Sequence, residues 1–241
     1  MMEENGMENG QIPSPEEFAT PFDTERKRSP FTRLLSLVLI AVFLFAAART
    51  GGSFIAQAVR AFYPLRVTVP SHFIVAEGTE NYVINETVET YEKVPAGIRE
   101  ELENDGWVIR LGPDVAIENY SLTEKDLPDG IVIYGNASFS DRVITLRNSS
   151  DYAIESIAHE VGHYVDISLG AKNIGVKYSD TDEFRDLYNK ETSAFPADAI
   201  VSDAGEYFAE AFDEYCVRPS SLRKHCPETY VYFDALLKDY A

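Results

Sequence analysis

Between residues 152 and 168, apolar side chains recur at three- and four-residue steps, as Ile154, Ile157, Val161 and Val165. That spacing is one face of a helix. It predicts a helix from Tyr152 to Ser168, with Asp151 as its N-cap and Gly170 as its stop. Shorter apolar runs predict strands at His72–Ala76, Trp107–Leu111, Ile131–Tyr134 and Val143–Leu146, with an Asp129-Gly130 turn before the third. Helices are predicted over Pro95–Asp105, closed by Gly106, and over Asp182–Thr192, Ala204–Val217 and Pro227–Tyr240. No internal repeat is visible. Strands and helices are segregated rather than alternating, so the predicted class is α+β. The expected architecture is a small, mostly antiparallel sheet packed on the helix at 152–168, followed by a helical C-terminal lobe.

The N-terminal part follows a different pattern. Residues 1–30 are rich in Glu, Asn, Pro and Gly and predict a disordered tail. Leu34–Ala48 is then uncharged and almost wholly apolar. Fifteen residues span about 22 Å, short of the roughly 30 Å hydrocarbon core, but flanking residues on either side complete the length. The predicted layout is a cytoplasmic tail over 1–30, a transmembrane signal-anchor over 31–49, a stalk over 50–66 and an extracytoplasmic domain over 67–241. Arg26, Lys27, Arg28 and Arg33 place the N-terminus in the cytoplasm. Competing readings are a signal peptide cleaved at Ala46-Ala47-Ala48, which the long segment before the apolar run argues against, and a buried soluble helix.

Charge narrows the function. The formal net charge of −19 lies wholly in residues 67–241, where 33 acids face 14 bases. A domain this acidic excludes nucleic acid and anionic membrane surfaces as partners. It is compatible with basic substrates, although solubility alone explains an acidic surface.

The chain has 4 His, and two stand in His159-Glu160-Val161-Gly162-His163. Residues four apart share a helix face, so both imidazoles can reach one metal ion. Glu160 can reach a water at that metal without binding the metal itself. This HExxH spacing predicts one Zn²⁺ per chain. A catalytic zinc needs a third protein ligand and an open position. The metzincin route puts a His six residues on, where this chain has Leu169. The gluzincin route takes a Glu from a later helix, and Glu206-Tyr207-Phe208-Ala209-Glu210-Ala211-Phe212 supplies two carboxylates on one apolar segment. Glu206 is the candidate third ligand, and Glu210 the candidate acceptor for a His N–H. Asp166 shares the face of both His residues, as an outer-shell group or, preferably, a structural anchor. His72 and His225 read as packing or surface residues. The strand at Val143–Leu146 is a candidate for pairing with an extended substrate, against the plainer reading of an ordinary sheet strand.

HEVGHYVD together with EYFAEAF resembles the catalytic domain of the anthrax lethal factor type and the Pro-Pro endopeptidases related to it. Cys226-Pro227-Glu228-Thr229-Tyr230 resembles the tail of the latter branch. The resemblance covers His159–Tyr230 by motif and reaches back to about Val143. It implies a gluzincin-type fold, a metalloendopeptidase acting on peptide or protein substrates, zinc on His159, His163 and Glu206, and Glu160 as base; joined to the predicted signal-anchor, this gives a membrane-anchored metalloendopeptidase. The family places a Tyr seven residues before the third ligand to support the transition state, and here that position is Ala199. Tyr178 and Tyr188 are the candidate replacements. No loop matching the one that sets Pro-Pro preference is recognisable, so that preference is not implied.

Cys216 and Cys226, the only cysteines, are a candidate disulfide if the domain lies outside the cell, with a reduced pair as the competing reading. Sequons at Asn85, Asn119, Asn136 and Asn148 matter only in a eukaryotic secretory pathway. Two non-protease readings stand beside the hydrolase. One is a membrane-tethered peptide-binding module that keeps the fold without the chemistry. The other is a structural ectodomain without metal.

Overall fold

Alternation along short apolar segments builds the sheet. In β2 (Val108–Gly112), Ile109 and Leu111 point inward while Arg110 is exposed. In β4 (Val143–Arg147), Ile144, Thr145 and Leu146 are all buried, so both faces are covered. That is the pattern of an interior strand. The computed structural model describes residues 63–113, 134–148, 152–195 and 201–240. The predicted tail, the signal-anchor, most of the stalk, the Asp129-Gly130 turn, most of the Ile131–Tyr134 strand, Asp151 and Ala199 lie outside those residues. Among the described residues, no helix is long and apolar enough to cross a membrane.

The class is α+β, with a four-stranded sheet of order β1-β2-β4-β3. β1 (Phe73–Val75) runs parallel to β2, and β2 parallel to β4. Among the described residues, only the pairing of β3 (Gly135–Ser138) with β4 is antiparallel. The expectation of a mostly antiparallel sheet is therefore corrected to a mixed sheet. The reason lies in α1 (Asn81–Tyr91) and α2 (Ala96–Asn104), which stand between β1 and β2 and supply the crossover a parallel pair needs. The proposal that β4 pairs with substrate is also corrected, because both of its edges are already taken by β2 and β3.

No element is predicted for 81–91, because Val, Ile and Thr at Val83, Ile84, Thr87, Val88 and Thr90 favour strands. Helical spacing nevertheless buries Val83, Ile84, Thr87, Val88 and Tyr91 on one side, and packing overrides propensity. Buried Asn85 ties the start of the domain to this helix. Its side chain accepts from Arg66 N at 2.8 Å and donates to Pro64 O at 2.8 Å. A sequon asparagine so enclosed has no surface to carry a glycan.

α3 (Tyr152–Tyr164) crosses the molecule next to β3, β4 and α1. It does not stop at Gly170. A π turn at Val165–Leu169 carries it into α4 (Gly170–Ile174), which ends at Gly175, a left-handed residue with φ 82°. The C-terminal lobe comprises α5 (Asp182–Glu191), α6 (Ala204–Val217), α7 (Pro219–His225) and α8 (Pro227–Leu236). Its core is aromatic: Phe208 lies 4.9 Å from Phe184 and 5.0 Å from Phe233, ring centre to ring centre. α6 is the central element, burying Tyr207, Phe208, Ala209, Ala211 and Phe212.

Candidate metal centre

Two helices from the two halves of the domain bring the site together. On α3, Ile157, Ala158 and Val161 are fully buried, which turns His159 and His163 toward α6. α6 begins at a definite point, because the Asp203 side chain caps it by accepting from Gly205 N at 2.8 Å and Glu206 N at 3.1 Å. Glu206 thereby stands in the first turn, facing the imidazoles. The helices approach closely at Gly162, where a Cβ would lie 2.8 Å from Ala209 Cα and 3.0 Å from Ala209 O. A glycine between the two histidines is what lets α6 come near enough to deliver its carboxylate.

The three side chains converge. His159 Nε2 and His163 Nε2 are 3.1 Å apart. Glu206 places one oxygen 3.5 Å from His159 Nε2 and the other 3.6 Å from His163 Nε2. Ligand atoms about 2.0–2.1 Å from a tetrahedral ion are separated by about 3.3 Å, so a triangle with these edges fits zinc. Two His and one carboxylate are also the donor set of a catalytic zinc with one position open. Among the described residues, His159, His163 and Glu206 form the one such cluster, their ligand atoms all within 4.8 Å of one another. An Nε2···Nε2 contact this short can share one proton or one cation but not hold two protons, which is the physical sense of a metal between them.

The electrostatics follow the same geometry. Glu210 Oε1 lies 3.3 Å from His159 Nδ1. A carboxylate only accepts, so this contact puts the proton on Nδ1 and leaves Nε2 for a ligand. Burial opposes a charged His159, yet the hydrogen bonds to Glu206 and Glu210 overcome it and raise its pKa. Burial, and then the charge on His159, push His163 the other way. The His159 hydrogen bond holds Glu206 below the usual carboxylate range. Glu160 is buried, and burial pushes its pKa up to about 7 against the pull of His159. A carboxylate there is matched to accepting and returning a proton near neutral pH. Its carboxylate also accepts from the backbone N–H of Ala137 on β3. Further along α6, burial raises buried Asp213 to about 7, with Arg218 Nη2 3.6 Å away opposing the rise.

The remaining candidates fall elsewhere. Asp166, in the π turn, accepts from Ser179 N at 2.6 Å and Ser179 Oγ at 2.7 Å, so it pins the 178–180 turn to the end of the long helix. Tyr178 stacks on Phe208, and its hydroxyl accepts from Asn173 at 2.9 Å. Tyr188 packs its ring on Tyr207. The structure brings neither tyrosine into the site, because both are held by the aromatic core of the C-terminal lobe. Leu169 is buried core. His72 is a packing residue, with Nε2 3.1 Å from Tyr91 Oη. Cys216 and Cys226 are free thiols, which corrects the candidate disulfide. Cys226 donates to the Glu191 carbonyl at 3.7 Å in the core, while Cys216 lies near Asp213 on α6. Sequence reasoning missed Asp203, Gly162 and Gly135. Only Asp203 had a local signal, an N-cap residue three before a Glu at the start of an apolar run.

A family model described as "Anthrax toxin lethal factor, N- and C-terminal domain" matches residues 74–236. Among solved structures, the Pro-Pro endopeptidase PPEP-2 from Paenibacillus alvei is similar, with 27% sequence identity and a TM-score of 0.52. The match covers 68% of this chain and 96% of that one. No curated protein matches.

Proposed function

The chain belongs to the anthrax toxin lethal factor family, and from that premise we propose that it is a zinc-dependent metalloendopeptidase cleaving extracytoplasmic proteins from a membrane anchor. One observation carries the catalytic part: the ligand atoms of His159, His163 and Glu206 lie within 4.8 Å of one another. Buried Glu160 stands next to them on α3. The uncharged Leu34–Ala48 run after a basic cluster supports the anchor, with residues 1–30 in the cytoplasm and the domain outside.

His159, His163 and Glu206 would hold the ion. Bound there, zinc supplies Lewis-acid polarisation of the scissile carbonyl and acidifies the attacking water. Glu160 takes the proton of that water and returns it to the leaving amine. Glu210 fixes the His159 ring through Nδ1–H. Buried surroundings around Glu160 exclude competing solvent and keep its proton affinity near neutrality. A second reading, a membrane-tethered module that binds peptide without cleaving it, is favoured by Ala199, which stands where the family has a Tyr.

The test is to purify the full chain in detergent, measure zinc by elemental analysis and challenge it with a peptide library. Cleavage that falls by about 10²-fold or more in Glu160→Ala, at unchanged zinc content, is the expected result. Cleavage that survives Glu160→Ala removes the proposed base. Zinc without cleavage selects the binding module, and no stoichiometric zinc removes both. Alkaline extraction of host membranes tests the anchor, which predicts that the chain stays in the pellet.

A further inference from the structure

We propose that Gly135 is a positioning residue: the room left by its missing side chain on β3 is the seat of the Glu160 carboxylate. The inference rests on the reading of Glu160 as the base. A Cβ at position 135 would stand 2.6 Å from Glu160 Oε1, 2.9 Å from Cγ and 3.1 Å from Cδ. Among the described residues, no other heavy atom comes as close to that point. The backbone itself does not ask for glycine there. Among the described residues, the positive-φ glycines are Gly78, Gly106 and Gly175, and Gly135 is not one of them. An ordinary strand φ accepts any L-residue, and a strand glycine leaves nothing to pack, which weakens the strand. What the position lacks is space for a side chain, and the occupant of that space is Glu160.

The rest of the strand agrees. Gly135 and Ala137 are two apart, so they share a face. Ala137 adds the second feature of the seat, an N–H donated to the Glu160 carboxylate. The register with β4, Gly135 opposite Leu146 and Ala137 opposite Ile144, holds both residues in place. A methyl at 135 would press on the Glu160 side chain from Cγ to Oε1 rather than on backbone. The fold would survive and the carboxylate would move. A displacement on the order of 1 Å at a reacting group can lower the rate about 10²-fold.

The test compares four full-length chains: wild type, Gly135→Ala, Glu160→Ala and the double variant. Gly135→Ala is expected to keep the wild-type zinc content and to lower kcat about 100-fold, with KM within about twofold. In chelator, its unfolding midpoint is expected to fall below wild type, whereas the same substitution in the Glu160→Ala chain is tolerated because the seat is empty. Equal losses in both backgrounds, or an undiminished kcat, would overturn the proposal and leave Gly135 as a plain strand residue. The stability comparison needs no activity. If wild type cleaves no peptide, the peptidase reading falls while the contact between Gly135 and Glu160 is still tested.

Discussion

At the scale of single residues, the site is a chain of contacts running outward from the two imidazoles. Glu210 is the partner of His159 Nδ1 at 3.3 Å. Removing such an acceptor typically lowers metal affinity 10–100-fold. Glu210→Ala is expected to do so in a zinc competition titration against a chromophoric chelator, and an unchanged affinity would mean that the ring is oriented by something else. Asp213 makes a separate prediction through pH. Burial raises its folded-state pKa to about 7, against about 3.8 in the unfolded chain. Between those values the folded state keeps a proton that the unfolded state has lost. Stability therefore falls as pH rises from about 4 to about 7. A shift of this size corresponds to a few kcal/mol at most, at about 1.4 kcal/mol per unit. Asp213→Asn removes this contribution without touching a ligand. Urea unfolding in chelator at pH 5 and pH 8 is expected to show a smaller loss for the variant than for wild type. Identical losses would show that Arg218 already holds Asp213 ionised.

At the scale of elements, the metal centre depends on how near α6 can come to α3. The Ala209 backbone lies where a side chain at Gly162 would begin, 2.8 Å away. Backbone cannot yield as a side-chain tip can. Gly162→Ala is expected to push the helices apart, to destabilise by about 1–3 kcal/mol as overpacking does, and to weaken zinc binding by moving Glu206. Calorimetry and zinc titration of the same sample check both halves, and normal affinity would show that the helices had room. Much of this arrangement was legible in the sequence. The helical repeat of Ile154, Ile157, Val161 and Val165 marks α3, and the Ala204–Val217 helix matches its predicted bounds. The His pair and the two carboxylates of α6 follow from spacing because they are local to one helix each. Pairings between distant segments were not legible. Short apolar runs carry no sign of parallel or antiparallel direction, so the sheet was expected with the wrong pairing. α1 was hidden by β-branched residues whose helical state depends on what they pack against. Gly162 and Gly135 look like any glycine until the opposing atoms are known. Tyr178 and Tyr188 were candidates by residue type alone, and their aromatic neighbours decide otherwise.

At the scale of the whole domain, the three side chains proposed to hold the ion come from both halves of the fold. His159 and His163 stand on α3, against the sheet, while Glu206 opens α6, the central helix of the C-terminal lobe. Acidic groups crowd the same region: Asp203 caps α6, and Glu206, Glu210 and Asp213 follow along it. They belong to a segment, residues 67–241, with 33 acids against 14 bases. Self-repulsion of that kind weakens a compact state. A dication at the helix junction would offset it locally and join the two halves, so binding should appear as stability of the domain rather than of one helix. A ligand at 100 times its Kd adds about 2.7 kcal/mol if it binds only the folded state. Chelator is therefore expected to lower the unfolding midpoint, and added zinc to restore it. Glu206→Ala should lose most of this zinc-dependent increment. Glu160→Ala should keep it, because Glu160 is not among the three side chains whose ligand atoms converge. If Glu206→Ala keeps the full increment, the ion is held without α6, and the closeness of the two helices has some other cause.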